Sequence, residues 1–156
     1  MSDISATIES VARDILDRIE VGYQVSVAAK DDVYTVNIAT EESGILIGHH
    51  GKTLESLQIL IGIITAKKLG SWVRVVVEVG DYRKRREEQL LQMAQDLAAK
   101  VAETGEPLSL PDLSPFERRV VHLSLSEHPA VTTESVGEGR LRTLMVKPKT
   151  AAKDAS

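Results

Sequence analysis

The chain has 156 residues, enough for one ordinary domain or two small ones, and 42% of them are hydrophobic, enough for packed cores. It has no cysteine, which excludes disulfides and Cys-based zinc sites, and only 3% aromatic residues, which argues against base recognition on platforms of stacked rings and for recognition through backbone and shape. The net charge of −4 is spread unevenly, −5 over residues 1–81, −2 over 82–117 and +3 over 118–156, so any contact with phosphate must be local and salt-sensitive.

No apolar run approaches the ~18 residues needed to span a membrane, and the N-terminus, with Asp3 and Glu9, lacks the basic-then-apolar pattern of a secretory signal. The expectation is a soluble cytoplasmic protein without membrane insertion. Ile4, Ile8, Val11, Ile15 and Ile19 recur at helical spacing and Gly22 follows where a helix would stop, which predicts a first helix with one buried stripe. Tyr23, Val25, Val27 and Ala29 alternate with polar residues, Asp31-Asp32 supplies a turn, and Tyr34, Val36 and Ile38 alternate again, as a β-hairpin does. After Glu41-Glu42, the apolar run Gly44-Ile45-Leu46-Ile47 leads through a glycine loop into a helix from about Thr53 to Leu69. That helix carries Leu54, Leu57, Leu60, Ile61 and Ile64, with Lys67, Lys68 and Gly70 at its C-terminal end. Val73, Val75, Val77 and Val79 then alternate as a third strand.

The loop between the apolar run and the long helix reads Gly48-His49-His50-Gly51-Lys52-Thr53. Glycines without Cβ atoms reach backbone angles closed to other residues and bring main-chain N–H groups close to a ligand, and the loop opens onto a helix N-terminus, where unpaired N–H groups and the dipole favour an anion. A nucleotide-binding P-loop is excluded, because the glycine required five places before Gly51 is Leu46.

The order helix, strand, strand, short helix, loop, helix, strand, with Ile47-Gly48-His49-His50-Gly51-Lys52 between two helices, resembles a KH domain of the bacterial type II arrangement over residues 1–80. The resemblance implies a groove for about four nucleotides of single-stranded RNA or DNA, walled by the short helix, the loop and the helix after it. It implies that Gly48, His49, His50, Gly51 and Lys52 meet the nucleic-acid backbone and that Ile45, Ile47 and Leu54 belong to the groove floor. The two middle loop positions, often basic in that family, are histidines here and carry little charge at neutral pH.

Gly80-Asp81 marks a boundary. A helix beginning with Arg83-Lys84-Arg85-Arg86 follows, with Leu90, Ala94, Leu97 and Val101 as its stripe and Gly105 and Pro107 at its end. The basic cluster reads equally as a phosphate contact or as a solvated face paired with Glu87 and Glu88. After a short Leu108-Ser109-Leu110 strand, Ser114 and Glu117 are spaced as a capping box with Pro115 at the first helical position. On that helix Arg118 and His122 lie four apart on one face, where a guanidinium beside an imidazole makes a multi-donor anion site, while Phe116, Val120 and Leu123 are expected to face inward. By spacing alone, a surface Arg and a core-edge His is the plainer reading.

Helix, strand, capped helix with Arg-x-x-x-His and a hairpin from Val131 to Val146 resemble the small single-strand-binding domain known by that motif, the R-three-H domain, over residues 81–148. The resemblance implies that Arg118 and His122 lie on a basic surface that meets phosphates, with Arg140 and Arg142 extending it from the adjacent strand. Residues 149–156 are expected to be a disordered tail. The fold class is thus α+β in two small domains.

A KH domain followed directly by an R-three-H domain resembles the bacterial Jag/KhpB (SpoIIIJ-associated) family. That resemblance implies a cytoplasmic protein that binds single-stranded RNA from many transcripts, is connected to cell elongation and division, and is partnered in some members by a small single-KH-domain protein. Many relatives carry a further domain ahead of the KH, for which this chain is expected to have no room, and a membrane or cell-wall role that depends on that domain stays an open alternative. A ribosome-assembly factor and a single-stranded DNA binder are the other readings. An enzyme is not expected: the histidines fall at His49-His50, His122 and His128 with no nearby carboxylates at metal-ligand spacing, so no metal, cofactor or nucleophile site is read.

Overall fold

The computed structural model describes residues 2–150. The chain divides into two compact units, Met1–Arg83 and Lys84–Ser156.

In the first unit α1 (Ser2–Ile19) precedes a hairpin of β1 (Gln24–Lys30) and β2 (Val33–Ala39). The turn between them is Asp31 and Asp32, both left-handed at φ 51° and 61°, as a two-residue turn must be to match the twist of the strands it joins. The short α2 (Ser43–Ile47), a 3-10 turn (His49–Gly51) and α3 (Lys52–Leu69) carry the chain to β3 (Arg74–Val79), which pairs parallel with β2. The sheet order is β1-β2-β3. Tyr34, Val36 and Ile38 of β2 and Val75, Val77 and Val79 of β3 form one inner face, closed by residues of α1, α2 and α3.

Helix faces differ from expectation by small rotations. The buried row of α1 is Ile8, Val11, Ala12 and Leu16, while Ile4 and Ile15 sit at its margins and Ile19 is exposed. Ile19 is the last residue of the helix, which stops there with Glu20 turned left-handed, so no further turn covers it. In α3 the core takes Leu54, Leu57, Ile61 and Thr65, and Leu60 faces outward with Ile59 and Ile63.

The second unit contains most of α4 (Tyr82–Thr104), then β4 (Leu108–Leu110), α5 (Pro115–Leu125), β5 (Val131–Val136), a 3-10 turn (Gly139–Leu141) and β6 (Thr143–Pro148). The sheet is antiparallel in the order β4-β6-β5. Its core joins Leu90, Ala94, Ala98 and Val101 of α4 to Val121 and Leu125 of α5 and Leu144 and Val146 of β6. Ala98 takes the central place expected of Leu97, which packs at the margin.

On α5 the expected inward residues are corrected: Phe116 and Leu123 are exposed, and Glu117, Val121 and Leu125 point in. The cause is a buried ion pair. Glu117 turns its carboxylate inward to Arg86, Nε to Oε1 2.7 Å, while its other oxygen accepts from Ser114 N, and this sets the helix rotation for the residues four and eight places on. The chain also stays bound beyond the expected start of a tail: Lys149 N donates to Ala130 O at 2.8 Å. The rest of that expected tail, residues 151–156, lies outside the described residues.

Candidate nucleic-acid interface

The glycine loop is built on backbone angles that its sequence alone permits. Gly48 N donates to Gly44 O at 2.9 Å, closing α2, and Gly48 itself sits at φ 70°, ψ −170°, a region essentially restricted to glycine. A Cβ there would stand 2.1 Å from Thr53 Oγ1. Gly51 is left-handed at φ 80°, and a Cβ on it would meet the Tyr82 ring at 3.0 Å. Between them His50 is also left-handed, at φ 52°, ψ 31°, a conformation histidine adopts more readily than most residues. The rings of His49 and His50 stack with centroids 3.9 Å apart.

Helix α3 starts at Lys52 with no side chain capping it. Its first-turn N–H groups, the positive end of the helix and the exposed Lys52 therefore stand together beside the exposed His49. The loop's approach is anchored from a distance: Thr40 Oγ1 donates to Gly22 O and accepts from Glu42 N, and Glu42 Oε2 accepts from Gly22 N at 3.3 Å. Spacing gave no hint of Thr40 and Glu42, whose contacts cross 18 and 20 residues. Of the three residues expected on a groove floor, only Ile45 offers surface, at 54% exposure. Ile47 and Leu54 are core residues, because the turns of α2 and α3 that hold them pack against α1 and the sheet.

Two members of the basic cluster at the start of α4, Arg83 and Arg86, are committed to partners other than Glu87 and Glu88. Arg83 donates from Nη2 to Gln58 Oε1 at 3.0 Å and to Val77 O at 3.2 Å, and its Nε lies 3.3 Å from Glu78 Oε1, a charge contact rather than an aligned hydrogen bond. Gln58 Oε1 also accepts from Val77 N, satisfying an outward N–H of the edge strand β3. Burial raises the Glu78 carboxyl above its ordinary range, with the Arg83 charge opposing. Arg86, held by Glu117, is likewise committed to structure.

In the second unit a complete capping box fixes the start of α5, with Ser114 Oγ accepting from Glu117 N at 3.1 Å and Pro115 in the first turn. Arg118 and His122 follow on adjacent turns. Arg118 is half-buried and spends Nη1 on Leu113 O at 2.8 Å, and exposed His122 meets Thr133 Oγ1 of β5 through Nδ1. Arg140 lies in the 3-10 turn and Arg142 just before β6, so neither projects from the strand as expected; the turn of Gly139–Leu141 delays the strand to Thr143. Both are exposed, as is Arg119. Lys147 is paired with Glu134 across β5 and β6. Among the described residues, no group of three or more His, Asp or Glu side chains is placed to hold a metal ion, and no helix is long and apolar enough to cross a membrane.

A helix–hairpin–G-x-x-G–helix–strand unit followed by a capped Arg-x-x-x-His helix on a three-stranded sheet defines a KH plus R-three-H protein. The KH domain model of the KhpA/KhpB type matches residues 5–79, and the R-three-H domain model matches residues 88–148. Relatives named RNA-binding protein KhpB include one from Clostridium symbiosum, 38% identical over 73% of this chain and 51% of its own length. Another, from Bacillus subtilis, is 30% identical over 91% of this chain and 67% of its own, and one from Streptococcus pneumoniae is 29% identical over 94% and 44%. The chain belongs to the Jag/KhpB family. It spans about half the length of the Clostridium relative.

Proposed function

We propose that this chain is a non-catalytic, cytoplasmic binder of single-stranded RNA, using the G-x-x-G loop of Gly48, His49, His50 and Gly51 with Lys52 and Ile45, and separately the surface of Arg118, His122, Arg140 and Arg142. The observation that supports the reading is the uncapped start of α3 after a loop with three positive-φ residues, which brings unpaired donors, the helix dipole and Lys52 together at one helix end, a combination that favours a phosphate. The relatives' name, RNA-binding protein KhpB, supports RNA as the ligand. A role in cell elongation and division goes with the family.

The test is His49→Asp with His50→Asp. Aspartate tolerates the left-handed backbone at position 50, so the fold survives, while two negative charges stand where a phosphate must sit. Affinity for a single-stranded RNA, read by fluorescence anisotropy, falls by roughly 1 kcal/mol per charge and more where the contact is dry. Unchanged affinity at an unchanged melting temperature would remove the loop from the account.

A protein partner is a second part of the reading, carried by the outer face of α3. Ile59, Leu60 and Ile63 are exposed there, and Trp72, 75% exposed, stands near Gly62. An antiparallel pairing with an equivalent helix about its middle would set Ile59 against Ile63 and Glu55 against Lys67. The face therefore suits a second KH-type domain, either another copy or a small single-KH protein.

A further inference from the structure

We infer that Phe116 is a base-stacking subsite, holding one unstacked base of a single strand whose neighbouring phosphate meets Arg119. The inference rests on the reading that the α5 surface meets RNA and extends it to residues outside the Arg-x-x-x-His pair.

Phe116 is the one phenylalanine of the chain and is 67% exposed, on a unit whose core is complete without it. At 100° per residue, Phe116, Leu123 and Arg119 fall within about 60° of one another on the outward face of α5, and His122 lies about as far beyond Arg119. The only acid of the helix, Glu117, is turned inward and neutralised by Arg86, so the outward face carries an apolar ring beside cations and no carboxylate. That charge pattern suits a polyanion with flat apolar faces better than a protein helix. The backbone beneath the ring is fixed by Pro115 and the capping box, and a phenyl side chain has only two rotatable bonds to immobilise. One ring is no platform, so the subsite takes a single base of any identity.

The experiment uses the full chain carrying His49→Asp and His50→Asp, which leaves α5 as the binding surface, and two probes: a single-stranded oligouridylate and its abasic counterpart with equal phosphates. Phe116→Ala weakens binding of the oligouridylate between about five- and a hundred-fold, the usual worth of one stacked base, and leaves the abasic strand unchanged. Its salt dependence stays that of the parent, whereas Arg119→Ala makes the dependence shallower. Phe116→Leu, apolar but without a ring face, behaves as Phe116→Ala does, and Phe116→Trp in a Trp72→Phe background retains affinity and shows quenched fluorescence on binding. Equal loss on both probes, no loss on either, or full affinity in Phe116→Leu overturns the subsite; the last two would assign the face to a protein. Failure of the parent reading is distinct: Arg118→Ala with His122→Ala would then leave affinity and salt dependence unchanged for both probes.

Discussion

At Gly48 a methyl group meets two obstacles at once, the Thr53 side chain and a backbone region closed to L side chains. Gly48→Ala is therefore expected to cost about 1–3 kcal/mol, visible as a lower melting temperature, and replacing Thr53 by Gly in addition recovers only the part due to the clash. Glu78 gives a pH signature. Its folded-state pKa is raised by burial, so the proton is held more tightly folded than unfolded; the stability this contributes is fully present below the unfolded value, about 4.3, and is lost as pH rises through the raised one. In Glu78→Gln that component disappears from the pH dependence of unfolding, while Arg83→Met, which removes the opposing charge, moves it to higher pH. An unaltered pH profile in Glu78→Gln would show that another group sets it. The sequence made the two glycines of the loop legible because few other residues reach their angles; it hid Thr40 and Glu42, whose partners lie across the fold.

Among the elements, strands and turns followed directly from the text of the chain: alternation has a period of two, and Asp31-Asp32 leaves the hairpin little choice. Helix faces were less legible. Periodicity cannot see that Glu117 turns inward to meet Arg86, and an acid in the first turn of a helix ordinarily reads as surface, so Phe116 and Leu123, which the spacing predicts to face inward, lie outside. The pair that causes the rotation is nearly buried, and Arg86→Met alone leaves the Glu117 carboxylate without its counter-charge, an expected cost of about 3–5 kcal/mol in denaturant unfolding. Arg86→Met with Glu117→Gln is expected to be the milder change. On α3 the expected stripe includes Leu60, which instead faces outward with Ile59 and Ile63 as an apolar surplus beyond the core. If that face pairs with another KH-type domain, Ile59→Asp abolishes the association seen by light scattering without lowering the melting temperature.

For the whole molecule, the two units are joined in one polypeptide, and a strand held by one raises the local concentration seen by the other. If the loop of the first unit holds a strand as proposed, about four nucleotides suffice to occupy it, and affinity is expected to climb steeply as the oligonucleotide lengthens. Arg118→Ala combined with His122→Ala should flatten that climb while changing the short-strand affinity little. Arg118→Ala also loses the tie to Leu113 O, so its contribution to binding is read from the salt dependence, shallower by about 0.7 per lost phosphate contact, and not from affinity alone. A length dependence that survives both substitutions would leave RNA binding to the first unit.

The contact between His122 Nδ1 and Thr133 Oγ1 decides which hydrogen the imidazole can offer outward. A hydroxyl either donates or accepts, and the neutral ring follows it: if Thr133 donates to Nδ1, Nε2 carries the hydrogen and can donate to a phosphate, and if Thr133 accepts, bare Nε2 would face the ligand's negative charge. If a strand meets His122 as proposed, it selects the Nε2–H tautomer and turns the threonine into a donor. Nitrogen chemical shifts of His122 should show mixed tautomers in the free protein and one in the complex. Thr133→Val, which keeps the shape and removes the hydroxyl, should leave the same tautomer in the complex but weaken binding, since Nδ1 then lacks its donor.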